Sequence, residues 1–564
     1  DSKGISSGRG AMLLRILPRA AALLMLCVQP LHASVLPAVS SYEFTAYRMQ
    51  QYAVQQEKHG SRGAIVQAEA RSADEPVLTR RCVIMKLPDF TVERYLEALR
   101  QSAAAVLLLL PKNMSAVPQD IIQTFMVSES EALLKDTIMP VYVTLEDEQL
   151  LYMYEEVKHA AASRTSSILV RGNMVTATVF QILVSNTSPI KPITDNTIIT
   201  LEGVLPGAGE DAPTIVITAH YDSYGLTPWL SYGADSNGSG VTILLELVRL
   251  FQKLYSNPHS QYHLLFSLTG GGKYNFLGTK RFIEENMDHT SLLHDNVAFV
   301  LCLDTLANGD DMFLHVSRPP KPGTPQHAFV QHLEQVVSSR FPWVRFGMVH
   351  KKINLGESTV SWEHERYAMR RIPGFTLSHL EDPKAELRGS ILDTVFSQSN
   401  SGKESLARFM YNLSDKGSPK DIQVFKGQME FQDSRMSSLM SFLTSIPRAT
   451  QLDKDPKHAI LVNTLEHELR YYLHQVHRHT FRQDKRDPEL TFFDQMEQPM
   501  MMYRIKPAAF DLFLGGCIAA YLAIVYYAIE VGRHSQFTLV YIDCPFDNKP
   551  CHWIQKSAFS QRGY

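Results

Sequence analysis

Residues Thr214–Gly225 read TIVITAHYDSYG. The run TIVIT has the apolar, β-branched character of a buried strand, and it leads into His220-Tyr221-Asp222. An imidazole and a carboxylate therefore fall at the carboxyl end of a strand, where open α/β sheets build their sites. Further on, Gly233–Gly240 reads GADSNGSG and opens the apolar helical pattern GVTILLELVRLFQKL of Gly240–Leu254. His263–Ser267 (HLLFS) and Ala298–Leu303 (AFVLCL) read as further buried strands, and Asp304 follows the second directly. Upstream, Ala104–Leu110 (AAVLLLL) and Met139–Thr144 (MPVYVT) have the same character. Short apolar runs alternating with helical periods predict an α/β fold with a mostly parallel sheet flanked by helices. His220, Asp235 and Asp304 would bring one imidazole and two carboxylates together, a donor set suited to zinc. Asp222 stands where it could orient His220 from behind.

The chain has 564 residues, so more than one folded unit is expected. Lys and Arg number 55 and Asp and Glu 58, a formal charge of −3 that argues against a nucleic-acid partner. With 45 % hydrophobic and 20 % charged residues, general disorder is excluded. Six cysteines are too few for a disulfide-built fold, and only Cys82 and Cys302 fall in the long middle region.

Two apolar segments bear on the compartment. Residues 12–33, from Met12 through an arginine-flanked apolar run to Leu31-His32-Ala33, have the layout of a secretory signal peptide. Asp1–Ala11 read as leader sequence ahead of it. Residues 508–529 (AAFDLFLGGCIAAYLAIVYYAI) would span roughly 33 Å as a helix, enough to cross a bilayer. The expectation is a single-pass type I membrane protein with its bulk in the lumen. Between these segments we expect an amino-terminal α/β lobe (34–196), a second α/β domain (197–415) and a helical stalk (416–507). The stalk follows from Leu461, Leu465, Leu469, Leu473 and Val476 at helical spacing, and His467, His474, His477 and His479 would lie on its solvated face. The last segment, 530–564, would be a cytosolic tail, of atypical sequence from Ser535 on. Sequons at Asn412 and Asn237 are the favoured glycosylation sites, ahead of Asn113 and Asn186.

The order H-x-D, G-A-D-x-N-x-S-G, a strand with a Gly-rich turn, then a strand ending in Asp resembles the zinc aminopeptidases and their glutamate carboxypeptidase, transferrin-receptor and nicastrin relatives. This resemblance covers about Leu201–Asn412. It implies a zinc-aminopeptidase-like fold, with His220, Asp235 and Asp304 at the positions of the first zinc's ligands. A glutamate pair, one a general base and one a second-zinc ligand, belongs after the strand His263–Ser267, and a late histidine completes the second site. This chain instead reads Gly272-Lys273-Tyr274-Asn275-Phe276-Leu277-Gly278-Thr279, which puts Gly272 at the base position and Lys273 at the ligand position. An ammonium there would repel a second zinc and could pair with Asp235. His379 stands near the place of the late histidine, but the usual H-T-x-x-D-T reads Gly389-Ser390-Ile391-Leu392-Asp393-Thr394. No metal or other cofactor is therefore expected, and His220, Asp222, Asp235 and Asp304 become vestigial positions.

EFTAYRMQQY (Glu43–Tyr52), WEHERYAMRRIP (Trp362–Pro373) and RIKPAAFDL (Arg504–Leu512) extend the resemblance to a nicastrin-related branch of the endoplasmic reticulum whose members lack peptidase residues. It implies a lumenal scaffold that assembles with nodal modulator and a small multi-pass membrane protein, near the Sec translocon and, through it, the ribosome. The implied roles are membrane-protein biogenesis and restraint of Nodal signalling. The alternatives are a one-zinc aminopeptidase using His220, Asp235 and Asp304, and a lumenal receptor that binds peptides in the old cleft without cleaving them.

Overall fold

A computed structural model describes residues 41–165, 179–185, 188–393 and 432–540, apart from short gaps at 210, 257–260, 287–292, 294–295, 308, 385–387, 485, 487 and 506–507. The expected signal peptide, Asn186, Asn412 and the end of the tail lie outside the described residues.

The first strands are β1 (Ser41–Arg48), β2 (Gln51–Val54), β3 (Glu57–Ser61), β4 (Gln67–Ser72), β5 (Arg81–Lys86), β6 (Ala105–Leu110), β7 (Asp136–Thr137), β8 (Val141–Leu145), β9 (Val179–Val184) and β10 (Pro192–Ile193). The central domain carries β11 (Thr197–Leu205), β12 (Thr214–His220), β13 (His263–Thr269), β14 (Val297–Leu303), β15 (Asp311–Val316), β16 (Arg345–His350) and β17 (Gly374–Ser378). Three more strands close the chain's folded part: β18 (Gln475–Arg482), β19 (Leu490–Phe493) and β20 (Glu497–Ile505).

The main sheet runs β16-β15-β17-β14-β12-β13-β11-β18. Its centre is parallel, β12 pairing with β13 and β14, and β14 with β17. β11 pairs antiparallel with both β13 and β18, and β15 antiparallel with β17. The sheet is therefore mixed, where a mostly parallel one was expected. Only the strands joined by helical crossovers must run parallel; β18 is a border strand, and β11, which lies between β13 and β18, is joined to neither of them by such a crossover. The helix Gly240–Leu254 follows its expected bounds and packs Val241, Leu244, Leu245 and Val248 into the core beneath the sheet.

The expected helical stalk is the largest correction. Helices Asp433–Ser445 and Pro456–Tyr472 do form there, but Leu461, Leu465, Leu469, Leu473 and Val476 are buried in the main core. Past Tyr472 the chain turns to strands: β18 joins the main sheet, β19 lies between β10 and β2, and β20 closes a barrel ordered β1-β20-β9-β4-β5-β6-β8. His477 and His479 lie on β18, not on a helix, and His479 Nε2 lies 2.8 Å from the Glu202 carboxylate. The apolar periodicity was real, but it marked a helix docked on a sheet rather than a free-standing one. The amino-terminal lobe and central domain thus share one body, closed by the last strands.

Of the described residues, 163–165 and 508–540 fall in a separate unit. Its helix, Ala508–Val540, continues past Ile529, and Leu512, Leu522, Tyr527 and Ile529 are exposed along it. Among the described residues no helix is long and apolar enough to cross a membrane.

Candidate functional site

The carboxyl ends of β12, β13 and β14 converge at one edge of the sheet and bring His220, the turn Gly270–Lys273 and Asp304 together. The cleft they form is fully furnished with partners. Gly272 N–H donates to Asp222 Oδ1 at 2.8 Å, Lys273 N–H to Oδ2 at 3.1 Å, and Thr450 Oγ1 to Oδ2 at 3.0 Å. Asp222 therefore clamps the Gly-rich turn, and it is not bonded to His220 as expected. Burial raises its pKa, and the amides and the Lys273 ammonium oppose the rise.

His220 is wholly buried, its Nε2 has no hydrogen-bond partner among the described residues, and Asn237 Nδ2 lies 3.5 Å from Nδ1. Burial holds its pKa well below the ordinary value, with Lys273, Arg388 and Arg448 pushing the same way against Asp304. Asp304 is held at 2.7 Å by Arg388 Nη2 and accepts from Thr305 Oγ1 at 2.6 Å. Burial alone would raise its pKa, yet Arg388, His220 and Lys273 together hold it well below the carboxylate range. Asp235 faces His379, whose Nε2 is 2.8 Å from Oδ2, and accepts from Ala307 N–H at 2.9 Å. Burial lowers the His379 pKa, but Asp235 outweighs it, so the imidazole is held above its ordinary value.

Lys273 does not pair with Asp235. Its ammonium donates to Ser236 Oγ, and Ser236 is linked through Thr305 Oγ1 (3.2 Å) to Asp304. Burial lowers the Lys273 pKa to about 8, opposed by Asp304, Asp222 and Asp393. Gly272 lies flat against the imidazole: a Cβ there would overlap His220 Cβ and Cγ and come within 2.7 Å of Cδ2. No side chain fits at this position without displacing the histidine.

Three further groups carry the site and went unread in the sequence. Arg388 holds Asp304 and stacks over Trp362, 4.3 Å from the ring centroid. Buried Arg448 donates to the carbonyls of Tyr221, Tyr232 and Gly233 and so fixes both site loops. Buried Glu129, on helix Gln119–Leu134, accepts from Leu226 N–H, Ser390 Oγ and Ile391 N–H, which ties the amino-terminal lobe to the cleft rim. Burial raises its pKa to about 7. None of the three has a local motif. The available signal for Arg388 was indirect: a buried Asp304 that has lost its metal needs some other cation.

The sequon at Asn237 must be withdrawn as a glycan site. The side chain is fully buried, its Nδ2 donates to the His220 and Leu303 carbonyls, and its Oδ1 accepts from Gly240 and Thr305 N–H. Asn113 is exposed.

Zinc in this fold needs free, deprotonated ligands. Here Asp304 is engaged by a guanidinium, Asp235 by an imidazole, and an ammonium enters from the second-ligand position. Among the described residues no group of three or more His, Cys, Asp or Glu is arranged to hold a metal ion. The donor set does not fit the zinc pair that the fold implies. What remains is a cavity of about 410 Å³ above the cleft, lined by Leu133, Leu134, Tyr224, Lys273, Phe276 and Arg388 among others.

Residues 196–343 match the profile of Peptidase family M28. The chain is similar to the zebrafish (Danio rerio) protein named BOS complex subunit ncln, with 51 % identity over 91 % of this chain and 94 % of that one. This chain belongs to the nicalin family. The Caenorhabditis elegans nicalin is 26 % identical over 88 % of the chain and 91 % of its own length. The crystal structure of the γ-secretase component nicastrin superposes with a TM-score of 0.55 at 10 % identity, covering 83 % of this chain and 100 % of that one, a likeness of fold alone. The nicalin family is thus the nicastrin-related branch expected from the sequence, on an α/β, M28 aminopeptidase-like fold.

Proposed function

We propose that this chain is a non-catalytic scaffold subunit of an endoplasmic-reticulum membrane complex. The observation that carries the reading is the cleft, where Gly272 leaves no room for a general base and Lys273 and Arg388 stand among the surviving carboxylates. Without a base, water activation loses the roughly 10²–10⁴-fold that such a group supplies. Against a divalent ion, an ammonium about 4 Å away at an effective dielectric near 20 contributes roughly 8 kcal/mol of repulsion, enough to cancel much of a zinc site's affinity. Relatives that bear the name of BOS complex subunits support membership of a multi-subunit membrane complex.

In this reading residues 508–529 anchor the chain as a single-pass type I protein with its folded body in the lumen. The exposed apolar side chains along Ala508–Val540 support the anchor, since such a surface requires an apolar surrounding. The partners are nodal modulator and a small multi-pass membrane protein near the Sec translocon, and the roles are membrane-protein biogenesis and restraint of Nodal signalling. A lumenal receptor that holds peptide in the 410 Å³ cavity is the second reading, favoured by that cavity alone.

Elemental analysis of the dialysed full chain and a fluorogenic aminoacyl substrate test the first claim. Neither stoichiometric zinc nor turnover is expected, and one zinc per chain with activity lost in Asp235→Ala would overturn it. Replacing 508–529 by an unrelated membrane helix should weaken co-purification with the multi-pass partner. Endoglycosidase should increase gel mobility through Asn412, and an unshifted wild type identical to Asn412→Gln would remove the lumenal assignment.

A further inference from the structure

Among the described residues β16 borders the main sheet and pairs only with β15, which leaves one edge of its backbone open there. At the carboxyl ends of β15 and β16, beside the start of β17, lies a groove of about 840 Å³. Its volume suits a ligand of several residues. Ile353, Leu355, Ile372 and Phe375 give it apolar surface, and Leu355 is 82 % exposed.

The charged lining is of one sign. Arg318, Lys321, Lys352 and Arg371 face the groove, and no aspartate or glutamate lines it. None of these four side chains has an ion-pair or hydrogen-bond partner among the described residues. Arg371 is also held at φ 65°, a left-handed conformation that non-glycine residues adopt only when their surroundings impose it. The helix Pro325–Arg340 begins at this groove with Thr324 as its cap, and its positive end adds to the field. Ser317 supplies a separate observation: it lines the groove, is 6 % exposed, and its Oγ has no hydrogen-bond partner among the described residues. A buried hydroxyl left unpaired signals a missing partner.

We propose that this groove, at the carboxyl end of β16, receives an acidic, extended segment of a partner protein with its carboxylates against Arg318, Lys321, Lys352 and Arg371, and that the segment continues from there along the open edge of β16. Charge complementarity selects an anion, the apolar floor selects one that also carries hydrophobic side chains, and the free strand edge selects a peptide backbone that can add to the sheet. The inference rests on the scaffold reading only in requiring a partner.

The test uses the full chain in detergent micelles and a fluorescein-labelled octapeptide of alternating Glu and Val, read by anisotropy. Saturable binding is expected, weakened at least tenfold in Arg318→Glu/Lys352→Glu, several-fold in Ser317→Ala, and steeply by added salt. A Lys–Val probe should not bind, and an alternately N-methylated Glu–Val probe should bind several-fold more weakly. Lys321→Glu serves as an independent charge reversal if the double variant loses its native circular dichroism. Equal affinity of folded charge-reversal variants and wild type would overturn the proposal. So would full displacement by millimolar inorganic phosphate together with unchanged binding of the methylated probe, which would mark a simple anion site. Co-purification with the other membrane subunits is scored in parallel. Its loss in wild type counts against the scaffold reading, whereas intact co-purification without probe binding counts against the groove alone.

Discussion

The Arg388–Asp304 pair can be tested by exchanging the guanidinium for an apolar chain of similar length. At 2.7 Å and an effective dielectric near 20, the gross Coulomb attraction is about 6 kcal/mol. Arg388→Met keeps much of the stacking on Trp362 and leaves Asp304 fully buried, with Thr305 Oγ1 and the more distant Lys273 as compensation. Removing one partner of a buried pair costs about 3–5 kcal/mol, and the remaining donors place this case near the lower figure. For a body of this size that corresponds to a melting-point drop on the order of 3–5 °C by differential scanning fluorimetry. In wild type the Asp304 pKa is held low, so its contribution is present above the unfolded value near 4 and lost only below it. In the variant, burial dominates and the pKa rises, so the deficit should be largest at neutral pH and shrink towards pH 4.5. Asp304→Asn in the Arg388→Met background should restore stability, because it removes the stranded charge. If Arg388→Met costs the same with Asp or Asn at position 304, the two side chains are not coupled and the account of the cleft fails.

Other consequences follow from the same geometry. Gly272→Ala should destabilise by about 1–3 kcal/mol through overlap with His220, and Gly272→Glu should lower the melting point rather than gain zinc, read by thermal melts and elemental analysis. Burial raises the carboxyl pKa of Glu363, which accepts from Thr218, Thr269 and Thr279, to about 7. A folded pKa above the unfolded one gives stability that is full below the unfolded value and lost as pH rises through the folded one. Melting points should therefore fall between about pH 4.5 and 8, with a shallower slope in Glu363→Gln, and equal slopes would refute the assignment. Glycopeptide mass spectrometry should find Asn237 unmodified, and a glycan there would mean that the loop Gly233–Gly240 is not seated as described.

Much of the central domain was legible because its parallel strands are buried on both faces and read as continuous apolar runs. Thr214, His263 and the helix Gly240–Leu254 fell on their predicted starts. The site positions His220 and Asp304 were legible because strand ends converge at one sheet edge. Their partners were not. By spacing Lys273 could have paired with Asp235, but a hydroxyl one residue on, Ser236, takes the ammonium, and His379 takes the carboxylate. A one-residue difference on a sharply bent loop turns neighbouring side chains in opposite directions, and spacing alone does not resolve it. β18–β20 were hidden for another reason. QVHRHTFR and EQPMMMYRI are half-exposed, polar and short of β-branched residues, so their strand state comes from partners far away in sequence.

Those last strands set an order of events during synthesis. β20 stands between β1 and β9, β19 between β10 and β2, and β18 beside β11, so each of the three sheets has a vacancy until the ribosome has passed residue 505. The roughly 450 residues separating Arg48 from Glu497 take about 20–90 s to translate at 5–20 residues per second. Once β9 has been made, at residue 184, both β1 and β9 present unpaired edges for the rest of that interval, the kind of surface on which nascent chains aggregate. A chain truncated before β18 should accordingly be a client of chaperones and not a stable fragment, and quality control could tell a finished molecule from an unfinished one by whether these edges are covered.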